Sequence, residues 1–569
     1  MKIRIFVTCA MILLMVFFID LGGVGAQTKT ILDLQRFQSV STGSGMDKKG
    51  NALQVKLTNL NTHVNVWYLA QLEDATGQTT TYHLENPYPK TQRVELQSNF
   101  SSGFVLGPDG FRCHLWGAIQ EASASRNVYV PLCEGRLFLR NPTKGHKTSK
   151  EWATDFLRLY VPGGETITSF VRGTVYKDAF LNTSELVDAK MVGYQRLRPA
   201  DAPARPLIDP QYDNQYLIPK ELGIDVKYEV ENRMLAGRWY PVVNTPGVFV
   251  SAVEPKLVAQ DVVVAQKGRV RPLDDVEAGA LCYMVAFDLA QFELRFAMGT
   301  EHPQVNWSDR MLPEMKDPAL PGPDGIGTVA PLVNTGMVNP EWGDLVVAAF
   351  TGGFKRYHGA FLRGDLAHKN YGSHYGFIEN GVMMSRLQPG LATVVIYNDG
   401  TVDLKTWSES DTTSLAHIRF ARQNGVPIIE FDSVLRTSRP GPFVMASGLG
   451  NWSGSASGSY RTLRAGVGLH ESDGHRFLIY GYFSTATPSA MARVFQAYGC
   501  RYAMLTDMNA LEHTYLSVYP KADDDRFVVQ HLIKGMSVLD KVNQGQVVPR
   551  FVGYADNRDF FYLLRSTPQ

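Results

Sequence analysis

Cysteine is scarce in this chain, and its cysteines and histidines lack the spacing of a metal site. The 569 residues include 5 cysteines, with no Cys-x-x-Cys and no His-x-x-x-His pattern. A structural zinc site needs such closely spaced thiolates or imidazoles, so none is expected. Cys113 and Cys133 lie in strand-like segments of one region and are expected to form a disulfide in an oxidising compartment. Cys282 and Cys500 are expected to be buried thiols, with a bridge between them as the alternative.

Long apolar runs are also scarce, because only the N-terminus has one. Lys2 and Arg4 precede an apolar run over residues 5–19, and residues 24–26 are small enough for cleavage. The run is shorter than the ~20 apolar residues of a membrane helix and is typical of an export signal. We therefore predict a signal peptide at residues 1–26 and an exported protein, periplasmic or secreted. An uncleaved N-terminal anchor is the alternative.

A net charge is expected to be absent from the mature chain. Removal of Lys2, Arg4 and Asp20 with the signal peptide leaves 54 of the 56 basic residues and 54 of the 55 acidic residues. Because neutralisation of phosphates dominates affinity for nucleic acid, this balance argues against a nucleic-acid partner. It is compatible with a local basic pocket for a single anionic group.

The length requires more than one core, and the composition divides the chain. Residues 27–195 alternate apolar and polar positions in short runs between turns, which predicts a β-sandwich, and include an amphipathic helix at residues 149–160. Residues 196–230 begin with closely spaced prolines and show no helical period, which predicts a linker. Residues 231–569 are β-rich with a few helices. The predicted fold class is therefore mixed α+β.

The best-defined helix of the second region follows Thr487. Thr487 suits the N-cap, Pro488 the first helical position and Gly499 the left-handed residue after the last turn. A strand that begins at residue 501 and ends at Asp507 follows this helix. In strand-helix-strand units the strand ends face the crevice where ligands bind, so Asp507 is the first candidate for a catalytic carboxyl group.

Further elements are predicted nearby. Asp473-Gly474 between two apolar runs supplies the backbone conformation of a tight hairpin. The apolar positions of residues 412–424 follow one helical face and Gly425 is a suitable terminator, which predicts a second helix before a strand at residues 428–431. Residues 302–340 are rich in proline and glycine and predict a long loop.

Four short motifs of the second region form a recognisable set. They are Thr-Gly-Gly-Phe at residues 351–354, the hairpin segments 376–381 and 394–400, Arg-Ala-Gly-Val-Gly at residues 464–468, and the strand that ends at Asp507. Together they resemble the Asn-Gly-Gly-Phe turn, the paired hairpins, the Arg-Thr-Ala-Ile-Gly turn and the strand before the Asp-Gly-Gly-Gly-Ser loop of the phosphodiester glycosidase family. The resemblance covers residues 270–520 and implies a β-rich domain that hydrolyses a sugar phosphodiester.

Two places depart from that family. Thr351 stands where the family has asparagine, and Met-Asn-Ala-Leu-Glu-His at residues 508–513 replaces its glycine-rich turn. Glycine lets backbone N–H groups approach an anionic ligand closely, and bulky side chains obstruct that approach. Either the substrate differs from that of the family or the site has lost its activity.

Hydrolysis of a sugar phosphodiester needs a cation for the phosphate and a carboxyl group that donates a proton or stabilises positive charge. The candidate catalytic residues are the acids Asp507, Glu430, Asp432 and Glu512. The candidate substrate-binding residues are Arg464, Arg461, Gly352, Gly353, His374 and Trp307. Glu430 and Asp432 share a strand face and suit a divalent cation such as calcium as cofactor. His358 and His513 are further acid–base candidates.

Two functions are compatible with these features. The first is an exported glycosidase-like enzyme that hydrolyses a sugar phosphodiester or a related envelope glycan linkage, with Asp507 and Arg464 in one pocket. The second is a non-catalytic envelope protein that binds a glycan or scaffolds other proteins through a degenerate enzyme domain. The expected partners are a carbohydrate or sugar phosphate, with peripheral contact with the cell envelope. A peptidase or esterase is not expected, because no Gly-x-Ser-x-Gly elbow accompanies a suitable histidine.

Overall fold

The computed structural model describes residues 29–164, 167–168, 171, 178–188, 201–265, 268–308, 311–356, 361, 365–369, 375–445, 459–521 and 527–566. The predicted signal peptide, His358 and His374 lie outside these residues. Within them, no helix has both the length and the apolar character that crossing a lipid bilayer requires.

The N-terminal region is a β-sandwich of two antiparallel sheets. Its strands are β1 (Ser39–Met46), β2 (Ala52–Asn59), β3 (Trp67–Glu73), β4 (Thr79–Glu85), β5 (Arg93–Glu95), β6 (Gly103–Gly107), β7 (Phe111–His114), β8 (Tyr129–Leu132) and β9 (Leu137–Arg140). The larger sheet has the order β1-β2-β3-β4-β9-β8 and the smaller one β5-β6-β7. Inward side chains of both sheets, such as Leu57 and Leu106, share one apolar core.

The second region contains most of the strands. They are β10 (Val187–Asp188), β11 (Gln215–Leu217), β12 (Met234–Leu235), β13 (Tyr240–Pro241), β14 (Val248–Val253), β15 (Cys282–Asp288), β16 (Phe292–Ala297), β17 (Val346–Thr351), β18 (Phe377–Glu379), β19 (Val382–Ser385), β20 (Ala392–Tyr397), β21 (Val402–Thr406), β22 (Ile418–Gln423), β23 (Pro427–Asp432), β24 (Thr437–Pro440), β25 (Thr462–Ser472), β26 (His475–Ala486), β27 (Cys500–Met508), β28 (Leu516–Val518), β29 (Gln530–His531), β30 (Lys541–Asn543), β31 (Gln546–Val548) and β32 (Phe560–Arg565).

Three larger sheets organise these strands. The first has eight strands in the order β13-β14-β15-β26-β25-β27-β23-β24, and the other two have five strands each, in the orders β16-β32-β17-β28-β29 and β19-β18-β22-β20-β21. Apolar side chains from all three enter one continuous core. The short sheets β10-β11-β12 and β30-β31 lie outside these three. The predicted β-rich, mixed α+β fold class is confirmed.

The helices within the described residues are few and short. The α-helices are α1 (Ile119–Ser123), α2 (Ser149–Tyr160), α3 (Gln260–Ala265), α4 (Asp275–Ala278), α5 (Asp365–Lys369) and α6 (Pro488–Ala497). The 3-10 helices are Ile31–Leu34, Pro210–Tyr212, Pro255–Leu257, Pro313–Met315, Pro340–Leu345, Glu409–His417 and Lys534–Leu539. Helix α2 coincides with the helix predicted at residues 149–160, and the Thr148 hydroxyl caps it by accepting the N–H of Glu151.

Helix α6 begins and ends as predicted. The Thr487 hydroxyl accepts the N–H of Ala490, Pro488 is the first helical residue, and Gly499 has a φ of +67°. The helix connects β26 to β27, which flank β25 and are both antiparallel to it. Strands β26 and β27 therefore run parallel, and this crossover carries Asp507 to the end of β27. The predicted hairpin between β25 and β26 also forms at Asp473-Gly474, where both residues have positive φ.

The helix predicted at residues 412–424 is wrong. A 3-10 helix ends at His417, and the chain continues as β22, the middle strand of its sheet. All six residues of β22 are buried, and Ile418 and Phe420 alternate with Arg419, which bonds Glu293, and Arg422, which bonds the carbonyl oxygen of Gln423. Strand pairing on both edges therefore outweighs the helical pattern of the apolar residues.

The described part of the predicted linker, residues 201–230, packs as part of the second region. Ile208, Leu217 and Leu222 are buried in its core, and Leu222 forms a β-bridge with Ile533. Because these side chains are buried in the core, the segment is part of the folded second region and not a linker, although its proline content is typical of one.

Cys113 and Cys133 form a disulfide with their Cα atoms 5.2 Å apart. Cys113 lies in β7 and Cys133 follows β8, so the bond links the two sheets of the sandwich. Cys282 and Cys500 are free and buried in β15 and β27.

We expect the disulfide to stabilise the sandwich. Its cysteines are 20 positions apart, and on chain-entropy grounds the double variant Cys113→Ala/Cys133→Ala should lose about 3 kcal/mol of unfolding free energy. Urea denaturation followed by fluorescence measures the change. Reductant should lower the stability of the wild type to that of the variant and leave the variant unaffected. Equal midpoints for the oxidised wild type and the variant would contradict the expectation.

Candidate functional site

Asp507 lies near the carboxyl end of β27, and its side chain is buried. One carboxyl oxygen accepts a hydrogen bond from Arg558 Nη1 at 2.7 Å, and the other accepts the N–H of Met508 at 2.8 Å. Burial raises the pKa of Asp507 to about 7, although Arg558 favours the ionised form. A carboxyl group that keeps its proton near neutral pH can act as a general acid.

The Arg558 guanidinium is the centre of the site. Besides Asp507, it donates through Nε to Glu151 Oε1 at 2.9 Å, and its Nη2 lies 2.7 Å from His513 Nε2. Arg558 lies two residues before β32, whereas Glu151 belongs to α2 of the N-terminal region and His513 to the turn after β27. One buried cation thus joins three distant parts of the chain.

His513 is held as a neutral ring. Its Nδ1 lies 2.7 Å from the carbonyl oxygen of Met508 and donates a proton there, which leaves the Nε2 lone pair to accept from Arg558. Burial and the adjacent Arg558 charge hold the pKa of His513 well below its usual value. The ring therefore supplies an acceptor for Arg558 and orients the guanidinium towards Asp507.

Glu151 provides the anion of this site. Its Oε1 contacts Arg558 and lies 3.4 Å from Lys355 Nζ, while its Oε2 is buried without a hydrogen-bond partner among the described residues. Although burial opposes ionisation, Arg558 and Lys355 hold the pKa of Glu151 well below its usual value. A carboxylate therefore occupies a pocket formed by two cations.

Alternating charges connect this pocket to the surface. Lys355 also bonds Glu301 at 2.8 Å, Glu301 bonds Lys147 at 2.6 Å, and Lys147 bonds Asp155 of α2 at 2.8 Å. Lys355 is buried, whereas Lys147 and Glu301 are partly exposed. Both acids of α2 thus face basic side chains on the inner side of that helix.

A second buried cluster borders the first. The Arg422 guanidinium bonds Asp559 at 3.2 Å, Asn424 at 2.9 Å and the carbonyl oxygen of Phe354 at 2.8 Å. The other carboxyl oxygen of Asp559 lies 2.5 Å from His302 Nδ1. Asn424 donates in turn to the backbone of β27 just before Asp507.

Gly352 and Gly353 lie against this second cluster. The Gly352 N–H donates to the carbonyl oxygen of Asp559 at 2.8 Å. A Cβ atom at Gly353 would lie 2.5 Å from Arg422 Nη1, so only glycine fits beside the guanidinium. The Gly-Gly turn that was predicted to bind substrate is therefore close to the strand of Asp507 and packs on an arginine.

Arg464 does not pair with Asp507. Its guanidinium donates to the carbonyl oxygens of Ala486 and Tyr460, and Nη1 contacts Met508 Sδ at 3.3 Å. Burial lowers the pKa of Arg464 to about 10. Since neighbouring side chains of a strand alternate between its faces, the contact with Met508 places Arg464 on the opposite face from Asp507. Arg558 lies beside Asp507, where Arg464 was predicted to lie.

The remaining candidates lie elsewhere or contribute through their backbone. Arg461 forms ion pairs with Asp178 and Asp274. The Glu512 carbonyl oxygen accepts from Arg550 at 2.7 Å, and the Glu512 carboxylate lies close enough to raise the pKa of Arg558. Trp307 is partly buried and donates to the carbonyl oxygen of Leu320 at 3.1 Å.

Glu430 and Asp432 belong to β23, and they lie beside the end of β27 that is far from Asp507. Ile429 pairs with Ala503 in antiparallel register, so both acids lie beside the beginning of β27. At the rise of a strand, Asp507 lies roughly 17 Å from the position beside Glu430 and roughly 23 Å from the position beside Asp432. Asp432 pairs with Arg439 at 2.6 Å. Among the described residues, no group of three or more His, Cys, Asp or Glu side chains is arranged to hold a metal ion.

Arg558, Arg422 and Asp559 were absent from the sequence-based candidates. One sequence feature could have indicated Arg558 and Asp559. A run of polar and charged residues, Asp556 to Asp559, stands directly before the apolar strand β32. Such a run usually marks a solvated turn, and here the whole run is buried. Glu151 gave no distinct signal, because an acid in an amphipathic helix usually faces solvent.

Comparisons with known proteins find no matching family model and no matching curated protein. Among solved structures, the chain has a weak likeness to the zebrafish N-acetylglucosamine-1-phosphodiester alpha-N-acetylglucosaminidase catalytic domain auto-inhibited by pro-peptide, with 11% identity, 57% of this chain and 85% of that chain covered, and a TM-score of 0.29. A hypothetical protein from Synechocystis matches with 10% identity over 92% of this chain and 99% of that chain, and a TM-score of 0.21. TM-scores of this size carry no argument about function.

Replacing Gly353 should destabilise the protein. In Gly353→Ala the new methyl group displaces the Arg422 guanidinium from its buried partners, and we expect a loss of about 2–3 kcal/mol of unfolding free energy. Chemical denaturation measures it. Gly343→Ala is the matched control, because no atom lies within 4 Å of a Cβ at that position. Equal losses in the two variants would contradict the close packing at Gly353.

The raised pKa of Asp507 predicts a pH-dependent cost in stability. Its ordinary pKa of 3.8 applies to the unfolded chain, and burial raises it to about 7 in the folded protein. As the pH rises from about 4 to 7 only the unfolded state loses this proton, so the folded state becomes less stable, and above 7 the cost is complete. Asp507→Asn should therefore gain about 2–4 kcal/mol relative to the wild type between these limits.

Unfolding free energies of wild type and variant at intervals from pH 4 to 8 test this expectation. A constant offset between them reports the altered contact with Arg558, and only the change with pH is used. Asp432→Asn is the control, because hydrogen bonds hold the pKa of Asp432 below its usual value. A difference between wild type and Asp507→Asn that stays constant over this range would show that Asp507 is already ionised.

Proposed function

We propose that this protein is a hydrolase of an anionic glycan linkage, a sugar phosphodiester or a related envelope glycan, with a site centred on Asp507, Arg558 and Lys355. The proposal depends on one observation. The Asp507 carboxyl group, with a pKa of about 7, lies beside Arg558. Arg558 and Lys355 both contact the carboxylate of Glu151. An acid next to a cationic anion-binding pocket is what hydrolysis at a sugar–phosphate bond requires.

The proposed chemistry divides the roles among these groups. Water attacks the sugar carbon and releases a proton to solvent, the bond from that carbon to the phosphate oxygen breaks, and Asp507, which keeps a proton near neutral pH, donates it to the departing oxygen. Arg558 and Lys355 bind the phosphate and neutralise the charge that it retains, and the fork of the guanidinium suits two phosphate oxygens. His513, as a neutral acceptor, keeps the guanidinium directed towards the acid.

Glu151 occupies the place that a substrate anion would take. Its carboxylate lies on Arg558 and Lys355 and is supplied by α2, an element of the N-terminal region. In this arrangement the pocket is closed, and a phosphate enters only when Glu151 withdraws. The N-terminal region thus regulates access in this proposal.

Export from the cytoplasm is part of the same proposal. The apolar N-terminal run is typical of a signal peptide. The disulfide between Cys113 and Cys133 supports an oxidising compartment, because such bonds are rare in the cytosol. Both features agree with a substrate in the cell envelope.

A non-catalytic role in glycan binding or scaffolding is the second candidate, and it has its own supporting observation. The turn after β27 is filled by bulky side chains, and the backbone of Glu512 and Thr514 serves as acceptor for Arg550 and Tyr480. Such packing leaves the turn as a structural element instead of an anion cradle. In this case the charge network stabilises the fold alone.

Hydrolysis assays with sugar 1-phosphodiesters and cell-wall fragments, with and without calcium, separate the two functions. We expect Asp507→Asn to lower turnover by about 100-fold or more, since a general acid contributes that much. Glu151→Gln should raise turnover or the affinity for inorganic phosphate, because it frees the two cations. Glu185→Gln, an exposed acid outside the network, is the matched control. Absence of product from the wild type and from Glu151→Gln would favour the non-catalytic role.

A further inference from the structure

Helix α2 buries its acidic side chains and exposes its aromatic ones. Its two acids are buried, with Glu151 6% and Asp155 9% exposed, whereas Trp152, Phe156 and Tyr160 are 63%, 45% and 72% exposed. A surface helix normally buries its apolar stripe and exposes its charges. Here the inner side is fixed by ion pairs, and the aromatic side faces outwards.

The three aromatic side chains form one continuous stripe. They are spaced at intervals of four residues, which brings them to the same side of a helix. The ring centroids of Trp152 and Phe156 are 5.6 Å apart, and those of Phe156 and Tyr160 are 5.4 Å apart. Large exposed apolar patches of this kind mark interaction surfaces.

The hairpin β30-β31 lies next to the start of α2 and also exposes apolar side chains. Val542 and Val547 face each other across the hairpin, and both are exposed. Lys541 lies 4.0 Å above the ring of Tyr554, which is 5.5 Å from the ring of His146, just before α2. Tyr554 and His146 therefore connect the hairpin to the residues that precede α2.

Around α2 and the hairpin, acidic side chains face inwards and basic side chains are exposed. Glu151 and Asp155 are turned inwards onto Arg558 and Lys147. Asp540, next to the hairpin, is likewise turned inwards and accepts from His531 and Tyr515 at 3.0 Å each. On the outer side Lys150 and Lys541 are exposed. The surface that results combines aromatic, aliphatic and basic groups.

We propose that the aromatic stripe of α2 and the valines of the β30-β31 hairpin dock on an anionic lipid bilayer. Tryptophan and tyrosine favour the boundary between headgroups and acyl chains, because their rings are apolar with a polar edge. Helices that lie in this boundary carry aromatic residues on one side and lysine or arginine beside them. The inward orientation of the three acids removes the repulsion that anionic headgroups would otherwise exert.

Co-sedimentation with lipid vesicles tests the proposal. The purified protein, with its N-terminus defined by intact mass and identical in all variants, is mixed with vesicles of phosphatidylcholine alone or with added phosphatidylglycerol. We expect tighter binding to the vesicles that contain phosphatidylglycerol, weakened by salt. The variant Trp152→Ala/Phe156→Ala/Tyr160→Ala should bind these vesicles about tenfold or more weakly, because the buried apolar area is lost.

Val434→Ser/Leu435→Ser is the matched control. These two side chains are also exposed and apolar, in the turn after β23 and away from α2. The control should bind like the wild type, and circular dichroism and thermal unfolding should show that all variants are folded. Equal binding by the aromatic variant and the wild type, or no binding by the wild type, would overturn the proposal. Unchanged vesicle binding with loss of self-association or of glycan binding in the aromatic variant would assign the surface to a second copy or to a glycan.

Discussion

The buried guanidinium of Arg558 is the interaction on which the site depends. It holds Asp507 of β27, Glu151 of α2 and His513 within hydrogen-bond distance. Burial of an isolated charge is strongly unfavourable, and removal of one partner leaves the others uncompensated. Arg558 therefore fixes the N-terminal region against the second region. Arg422 and Asp559 form a second ion pair, which is fully buried.

Arg558 favours the ionised form of both carboxyl groups that contact it, yet their pKa values are shifted in opposite directions. Burial dominates at Asp507 and raises its pKa, whereas a second cation, Lys355, holds Glu151 ionised. One acid thus tends to keep its proton while the other supplies the negative charge of the network. Separation of two carboxyl groups by their surroundings is how a protein obtains an acid and an anion from the same chemical group.

The polarity of α2 follows from the same network. Because the inner side of the helix must satisfy Arg558, Lys355 and Lys147, it carries acids, and the apolar residues of its amphipathic pattern face outwards. The helix therefore links the closed anion pocket to an exposed aromatic surface. An amphipathic sequence defines a polar and an apolar face of the helix, but the residues that the helix packs against determine which of the two is buried.

The sequence alone determined the features whose causes are local. The cap at Thr487, the turn residues Asp473-Gly474 and the alternation of the sandwich strands act over a few residues, and each was predicted where it occurs. Tertiary structure decided β22, because pairing on both edges outweighed a helical pattern. It also decided that Arg558, 51 positions from Asp507 and 407 from Glu151, lies beside Asp507 where Arg464 was expected. Burial and partner choice depend on which distant side chains meet, and no local pattern encodes that.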